Sequence, residues 1–185
     1  MRISFTGPGC SGKTTLLKKC REHYGDKFDY VDEVTRPALH SGLKINEDGD
    51  SSTQLYILEQ HIRNDSLDNV IMDRCIIDGL VYTNWLHMEG KVSDTVQRTF
   101  DKAYKELINN LDIVFYTSPV QLEDDGERST NNKFITDIEQ MFENVIWSME
   151  TCDKSPLVIH LNGEFATRFN YIKIAIEQHE HSTIR

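Results

Sequence analysis

Residues 7–14 read GPGCSGKT and match every fixed position of the phosphate-loop pattern G-x-x-x-x-G-K-[ST]. An apolar run that can form a buried strand precedes this stretch, and a segment that can open a helix follows it. The glycines allow several backbone N–H groups to point at one anion, and the start of a helix adds the positive end of its dipole. The stretch therefore predicts a site for the polyphosphate of a nucleoside triphosphate, formed by Gly7, Gly9, Cys10, Ser11, Gly12, Lys13, Thr14 and Thr15.

Two side chains of this loop have chemistry that suits a metal-bound triphosphate. The Lys13 ammonium group is expected to reach the β- and γ-phosphates, and the Thr14 hydroxyl is expected to ligate Mg²⁺. Cys10 occupies a freely variable position of the pattern and is interpreted as a spacer rather than a nucleophile. We therefore expect ATP and Mg²⁺ as ligands.

Length and composition indicate one globular domain. The chain has 185 residues, of which 38% are hydrophobic and 27% charged, as is usual for soluble globular proteins. No apolar run approaches the length of a membrane helix, and the N-terminus reads as a strand rather than a signal segment. The four cysteines have neither zinc-type spacing nor the density of a disulfide framework. We expect a single cytoplasmic domain over residues 1–185 that does not associate with membranes.

The formal net charge of −10 bears on the binding partner. An acidic chain lacks a broad electrostatic surface for nucleic acid, so a large duplex-binding face is disfavoured. A small basic channel at the site would not be visible in this sum. The oligomeric state cannot be read from the sequence.

Strand-like and helix-like segments alternate along the chain, which predicts an α/β fold with a five-stranded, mainly parallel sheet in three layers. The strands are predicted at 2–6, 28–32, 70–72, 113–117 and 157–161, and helices at 13–23, 53–67, 77–88, 94–109 and 167–178. A capping-box pattern at 51–54 would start the second of these helices, with Leu55, Leu58 and Ile62 facing inward and His61 as a further inward candidate. Residues 37–50 read as a loop or short helix, and residues 121–132 as an exposed loop. Between that loop and the last strand, one helical face carries Phe134, Ile138, Met141, Phe142, Val145, Ile146 and Met149.

Acidic residues follow the second and third predicted strands, as Asp32-Glu33 and Asp73-Arg74. The carboxyl ends of parallel strands share one edge of a sheet, so both pairs are expected near the γ-phosphate. Phosphoryl transfer requires a neutralised phosphate and a positioned acceptor. We assign Asp73 to the metal and Glu33 to the acceptor hydroxyl as general base, with Asp32 as the alternate base. Arg36 and Arg74 are expected to contact phosphate oxygens.

Four segments recur in this order in a known group of proteins: the phosphate loop, YVDEVTRP at 30–37, VIMDRCIIDGLVY at 70–82 and DDGERS at 124–129. The chain resembles the small P-loop kinase-like ATPases of the AAA type. This group lies close to nucleoside and nucleotide kinases, such as the ribosylnicotinamide kinase domain of the bacterial NadR regulator, thymidylate kinases and deoxynucleoside kinases. The resemblance spans roughly residues 1–180, and it implies the P-loop fold of nucleoside and nucleotide kinases.

The resemblance also implies roles for single residues. Glu33 matches the acceptor-side carboxylate of such kinases, and Asp73-Arg74 matches their D-R or E-R pair. The catalytic set is then Lys13, Glu33, Asp73, Arg74 and Arg128, and the substrate-binding set is Glu33, Arg36, Arg74, Asp78 and Tyr82. Arg128 lies in a lid loop at about 120–132, where it would contact the nucleotide and stabilise the moving phosphoryl group. Asn162 and Gly163 match the segment that wraps the adenine through backbone contacts.

The expected function is that of an ATP- and Mg²⁺-dependent kinase acting on a hydroxyl of a nucleoside, nucleotide or related small metabolite. Tyr82, Trp85 and His87 would either line the acceptor pocket or belong to the core. One alternative is a kinase that acts on a hydroxyl of modified DNA, such as a hydroxymethylated base, with nucleic acid as its partner. Another is a P-loop ATPase that serves as a nucleotide-dependent switch without an acceptor.

Overall fold

All the strands of the fold belong to one sheet, and each neighbouring pair in it is parallel, as the alternating pattern predicted. In the computed structural model, which describes residues 1–118, 131–152 and 154–183, the strand order is β2-β3-β1-β4-β5. The strands are β1 Arg2–Thr6, β2 Asp29–Val31, β3 Val70–Asp73, β4 Ile113–Thr117 and β5 Leu157–Leu161. The predicted α/β class with a five-stranded parallel sheet is confirmed.

Helices cover both faces of this sheet. Within the described residues they are α1 Lys13–Tyr24, α2 Thr35–His40, α3 Ser51–Asn64, α4 Ile76–Met88, α5 Asp94–Leu107, α6 Asn132–Glu150 and α7 Phe165–Thr183. Because consecutive residues of a strand point to opposite faces, each central strand contributes to two apolar layers. Phe5 and Phe115 pack with α1 and α7 on one face, whereas Met72 and Val114 pack with α3 to α6 on the other.

The central strand β1 leads directly into the phosphate loop. Its neighbours are β3 on one side and β4 on the other, so the connections leaving the sheet diverge at its carboxyl end. Such a divergence opens a crevice where ligands bind in doubly wound folds. In the same direction, β3 ends at Asp73 and β2 is followed by Asp32 and Glu33. The fold therefore brings both predicted acidic pairs to the edge that carries the loop.

Helix α3 differs from its prediction at its start and in its buried face. It begins at Ser51, two residues earlier than predicted, because the Asp50 carboxylate accepts hydrogen bonds from the backbone N–H groups of Ser52 and Thr53. The inward prediction was right for Leu58 and His61 but wrong for two other residues, Leu55 at 47% exposure and Ile62 at 52%. The helix instead buries Thr53, Gln54, Ile57, Leu58 and His61.

Other element boundaries also differ: α3 ends at Asn64 rather than at residue 67, and α7 covers Phe165–Thr183 where 167–178 was predicted. The segment 37–50 contains the end of the short helix α2, and β2 has three residues where five were predicted. Helix α6 buries five of the seven predicted residues, while Met141 and Val145 are partly buried against the same core. Across the described residues, none of the helices has both the length and the apolar character needed to cross a membrane. The predicted lid at about 120–132 lies almost wholly outside the described residues.

Candidate active site

The phosphate loop between β1 and α1 is held in shape by buried hydrogen bonds. Positive φ angles occur at Gly7 (134°), Cys10 (61°) and Gly12 (85°), so the backbone turns sharply three times in six residues. A Cβ atom at Gly7 would lie 2.4 Å from the Thr117 carbonyl oxygen, which explains why a residue without a side chain stands there. The hydroxyls of Ser11 and Thr117 are 2.7 Å apart and connect the loop to β4.

The amino end of α1 is open to an anion. Gly12 precedes the helix without providing a side-chain cap, and the first turn contains no acidic residue. The first N–H groups of a helix have no intrahelical partner, and the helix dipole favours negative charge at this end. The loop and the helix start together therefore provide the nest of N–H groups that the sequence pattern predicted.

Lys13 lies folded along the loop that precedes it. Its ammonium group donates hydrogen bonds to the carbonyls of Gly7 (2.8 Å) and Pro8 (2.7 Å) and to the Ser11 hydroxyl (2.9 Å). Burial and the nearby positive charge of Arg74 lower the pKa of Lys13 to about 8, although neighbouring carboxylates oppose the shift. A cation with so little exposure to water is well placed for a strong interaction with a phosphate.

The two predicted metal ligands contact each other. The Thr14 hydroxyl donates a 2.5 Å hydrogen bond to Oδ2 of Asp73. The second carboxylate oxygen, Oδ1, is buried without a hydrogen-bond partner, and burial raises the pKa of Asp73 even though Arg74 and Lys13 oppose it. A buried oxygen without a partner is costly, and a hydrated Mg²⁺ would satisfy it.

These two side chains fit a magnesium ion bound largely through phosphate and water. Mg²⁺ in phosphoryl-transfer sites commonly takes one or two protein ligands and completes its octahedron with phosphate oxygens and water. The residues described contain no group of three or more His, Cys, Asp or Glu side chains suited to a metal. The pair of Thr14 and Asp73 fits a nucleotide-bound Mg²⁺.

Glu33 and Arg74 form a partly buried ion pair beside the loop. The Arg74 guanidinium donates from Nε to Glu33 Oε1 (2.6 Å) and from Nη1 to Asp78 Oδ1 (3.0 Å). The Thr35 hydroxyl also donates to Glu33. Burial by itself would raise the pKa of Glu33, but Arg74 and the Thr35 hydrogen bond outweigh it and hold the pKa at about 2. Glu33 is therefore ionised at neutral pH.

Asp78 is anchored by contacts within the protein. Its Oδ2 accepts hydrogen bonds from the Thr6 hydroxyl (2.7 Å) and the Cys75 backbone N–H (3.2 Å), while Oδ1 accepts from Arg74. The residue is 3% exposed. These contacts position Arg74 by tying the start of α4 to β1, and direct substrate binding by Asp78 stays a prediction.

A cleft of about 140 Å³ opens in front of these groups. Its lining includes the predicted residues of the phosphate loop from Gly9 to Thr15 together with Glu33, Arg36, Arg74 and Tyr82. The Arg36 side chain is half exposed and its Nε lies 3.8 Å from Glu33 Oε2. The Tyr82 ring lies 5.9 Å from the Arg74 guanidinium carbon, and the ring of Phe134 lies beyond it.

The structure locates three residues whose roles the sequence left open. The alternate base Asp32 points away from the cleft, because neighbouring residues at the end of a strand point to opposite sides. Its exposed carboxylate pairs with Arg21 at 3.2 Å. Trp85 is 5% exposed in the core, where its ring packs on Phe134. His87 lies on the surface and pairs with Asp94. Of the aromatic set on α4, only Tyr82 reaches the cleft.

A further residue at this edge, Arg168, carries no sequence motif. It is 8% exposed on α7, and its guanidinium donates to the carbonyls of Gly163 (2.8 Å) and Ser11 (3.0 Å). It thereby joins the phosphate loop to the segment after β5 that contains Asn162 and Gly163, the predicted adenine side. Because 157 residues separate Arg168 from Ser11, no local pattern could have revealed this contact. Arg128 lies outside the described residues.

Comparison with known proteins identifies the family. A family model described as an AAA domain matches residues 2–163, so the chain belongs to that family. No curated protein matches the sequence significantly.

Several solved structures share the fold. Deoxyadenosine kinase from M. mycoides, with the products dCMP and a flexible dCDP bound, superposes with a TM-score of 0.72 at 17% identity, over 96% of this chain and 99% of that chain. NadR in complex with NR gives a TM-score of 0.71 at 15% identity, over 95% of this chain and 50% of NadR. The YorR protein from Bacillus subtilis, in complex with phosphorylated GDP, gives 0.61 at 17% identity and 98% coverage of both chains. These matches confirm the predicted P-loop kinase-like fold.

Proposed function

We propose that this member of the AAA-domain family is an ATP- and Mg²⁺-dependent kinase that transfers the γ-phosphate to a hydroxyl of a nucleoside, nucleotide or related small metabolite. One observation carries the proposal: a phosphate loop and an ionised carboxylate, Glu33, face the same cleft. A nucleotide switch needs the loop alone. A kinase also needs a group that orients an acceptor hydroxyl beside the loop.

In this proposal the nucleotide end of the cleft is formed by α1 and the loop. The backbone N–H groups hold the phosphates, and Lys13 exchanges its carbonyl partners for phosphate oxygens. Thr14 and Asp73 would hold Mg²⁺, which neutralises charge on the phosphates when bound. Asn162 and Gly163, linked to the loop through Arg168, would border the adenine.

At the acceptor end, Glu33 would orient the hydroxyl. With a pKa of about 2, its carboxylate is always ready to accept a hydrogen bond but is a weak base. In phosphoryl transfer positioning and electrostatic stabilisation supply most of the catalysis, so a weak base in the right place is sufficient. Arg74 and Arg36, both beside Glu33, would stabilise the charge that moves between donor and acceptor. Arg128 of the predicted lid would join them.

The test is transfer from γ-labelled ATP, screened across nucleosides, nucleotides, nicotinamide riboside and a hydroxymethylated oligonucleotide. We expect the label to appear on at least one acceptor and ADP formation to depend on that acceptor. Lys13→Ala is expected to abolish the transfer with the fold retained. Lys19→Ala is the matched control, since Lys19 lies on the same helix and pairs with Glu22 on the surface.

Two results would count against the proposal. Equal ADP formation with and without every acceptor would indicate an ATPase or a switch. Unchanged turnover in Lys13→Ala would remove the phosphate loop from the reaction.

A further inference from the structure

A second, smaller cavity of about 40 Å³ adjoins the cleft and extends between α3 and α4. Both cavities are bordered by Glu33, Arg74 and Tyr82. Most of the other residues that line the second cavity are apolar, such as Val34, Ile45 and Ile57, or polar and uncharged, such as Thr53 and Gln54, and the lining also includes His61 and Asp78. Its position on the far side of Glu33 from the loop makes it the place for the part of the acceptor that does not react.

Carboxylates balance the described positive charge around this second cavity. Among the described residues that line it, Arg74 is the one permanent cation, and two carboxylates bind it: Glu33 at 2.6 Å and Asp78 at 3.0 Å. All three side chains are at most 16% exposed, so water screens them little. An anion entering here would meet one guanidinium and two carboxylates.

His61, which also lines the second cavity, adds no positive charge. Its ring packs against Gly79 of α4, and it is 6% exposed. Burial, assisted by the nearby charge of Arg74, lowers the pKa of His61 to about 4. At neutral pH the ring is therefore uncharged.

Within the part of the chain that the structure describes, the first cleft does not supply a further cation for an anionic acceptor either. Of its three described cations, Lys13 lies in the phosphate loop, and both Arg36 and Arg74 lie beside Glu33. Glu139 adds a further carboxyl group to the lining, and burial together with its neighbour Glu143 raises the pKa of Glu139. On the acceptor side, the described carboxyl groups are those of Glu33, Asp78 and Glu139, and the described cations are Arg36 and Arg74. The carboxyl groups therefore match or outnumber the cations.

From this charge pattern, and resting on the proposed function, we infer that the acceptor is an uncharged hydroxyl compound of the nucleoside type and not a phosphorylated nucleotide or a polynucleotide. If the acceptor group were itself a phosphate, cations would be needed to neutralise both that phosphate and the γ-phosphate of ATP. Here an ionised carboxylate faces the reacting position, which suits the proton of a hydroxyl and repels a phosphate. The uncharged ring or base enters the second cavity among its apolar walls.

The primary test compares matched pairs on the wild-type protein: a nucleoside and its 5′-monophosphate, with several bases, assayed with labelled ATP. We expect kcat/KM to favour the nucleoside by at least about 100-fold, since like charges brought together at a site oppose binding strongly. Transfer to the monophosphate with its nucleoside inert would overturn the inference while the proposed function stands. Transfer to no acceptor, with ATP hydrolysed, would overturn both.

A binding measurement on two variants separates the charge from the chemistry. In the presence of ADP, Glu33→Gln is expected to bind the monophosphate at least about fivefold more tightly than the wild type does, because one repelling charge is removed. Asp32→Asn is the matched control: it removes the neighbouring charge, which points away from the cleft, and should leave that affinity unchanged. Equal affinities in all three proteins would contradict the inference even if Glu33→Gln transfers no phosphate.

Discussion

At the scale of single residues, one guanidinium determines how part of the phosphate loop is oriented. The carbonyl of Ser11 and the N–H of Gly12 belong to the same trans peptide, so they point in opposite directions. Arg168 binds that carbonyl from the side of α7, and the N–H is therefore directed towards the other side, where the anion is expected. The same side chain holds Gly163, so the two halves of the nucleotide site share one support.

This geometry makes Arg168 a positioning residue, and we predict that Arg168→Ala raises the Kd for ADP with Mg²⁺ by about tenfold or more, the usual effect of losing charge-assisted hydrogen bonds. The acceptor KM should change little, which a general loss of structure would not produce. Arg168→Lys should restore part of the affinity. Calorimetric titration measures the ADP affinity of both variants, and steady-state kinetics measures the acceptor KM. The surface variant Arg98→Ala is the control. Equal ADP affinity in Arg168→Ala and the wild type would refute the role.

Lys13 makes nucleotide binding depend on pH. In the free protein its pKa is lowered to about 8, so below this pH the ammonium form is present and above it the charge is lost. We predict that nucleotide affinity is near its maximum at pH 7, is about halved near pH 8 and falls above that by up to about tenfold per pH unit. Lys13→Arg keeps its charge and should show no such fall, whatever its affinity. A wild-type affinity that stays constant to pH 9.5 would contradict this.

At the scale of elements, patterns that repeat over many residues predicted most of the fold. The strand positions, the apolar face of α6 and the strand–loop–helix context of the phosphate loop were readable because burial imposes a fixed period. Helix α3 was partly misread because its inward face contains the polar residues Thr53 and Gln54, while Leu55 lies outside. Polar residues inside a helix become visible only when their partners are known, such as Thr83 with Gln54.

The site was partly readable for the same reason. Residues next to a motif or a strand end, such as Thr14 and Asp73, could be assigned from their place in the chain, and the structure brings them to 2.5 Å. The choice between Asp32 and Glu33 could not be made, because it depends on which side of the sheet each one faces. The contact of Arg168 with the loop depends on the packing of α7, which no local sequence pattern encodes.

The packing of α3, α4 and α5 depends on one glycine. A Cβ atom added at Gly79 of α4 would lie 2.6 Å from a ring carbon of Phe100 and 3.2 Å from the His61 ring. We predict that Gly79→Ala lowers the free energy of unfolding by about 1–3 kcal/mol, as overpacking does. Gly9→Ala is the control, since a Cβ there meets nothing within 4 Å. Chemical denaturation measures both variants, and equal stabilities would show that the helices can separate at little cost.

At the scale of the whole molecule, the sheet links the two apolar layers. The central strands contribute side chains to both, so neither layer can form without them. We propose that residues 1–185 form one domain, and we predict a single unfolding transition. Circular dichroism and the fluorescence of the buried Trp85 should give coincident curves, and the calorimetric and van't Hoff enthalpies should agree. Two separated transitions would show that the layers fold independently.

The net charge of −10 describes the whole chain, whereas the charge pattern of the site describes a few neighbouring side chains. The sum disfavours a broad surface for nucleic acid, whereas the proposed choice of acceptor depends on four side chains around the cleft and the second cavity: Glu33, Arg36, Arg74 and Asp78. A whole-chain sum cannot show how these groups are paired. The structure adds this information, and from it comes the preference for an uncharged acceptor.

Every step of the proposed reaction requires the loop between β1 and α1 to bind a magnesium–nucleotide complex. The most direct measurement is calorimetric titration of ATP with Mg²⁺ into the wild-type protein and into Lys13→Ala at pH 7.5. We predict saturable one-site binding with a Kd in roughly the micromolar range for the wild type, typical of nucleotide sites, and at least about a hundredfold loss in the variant. Wild-type protein that shows no affinity for ATP or GTP, or a variant that binds equally well, would contradict the account.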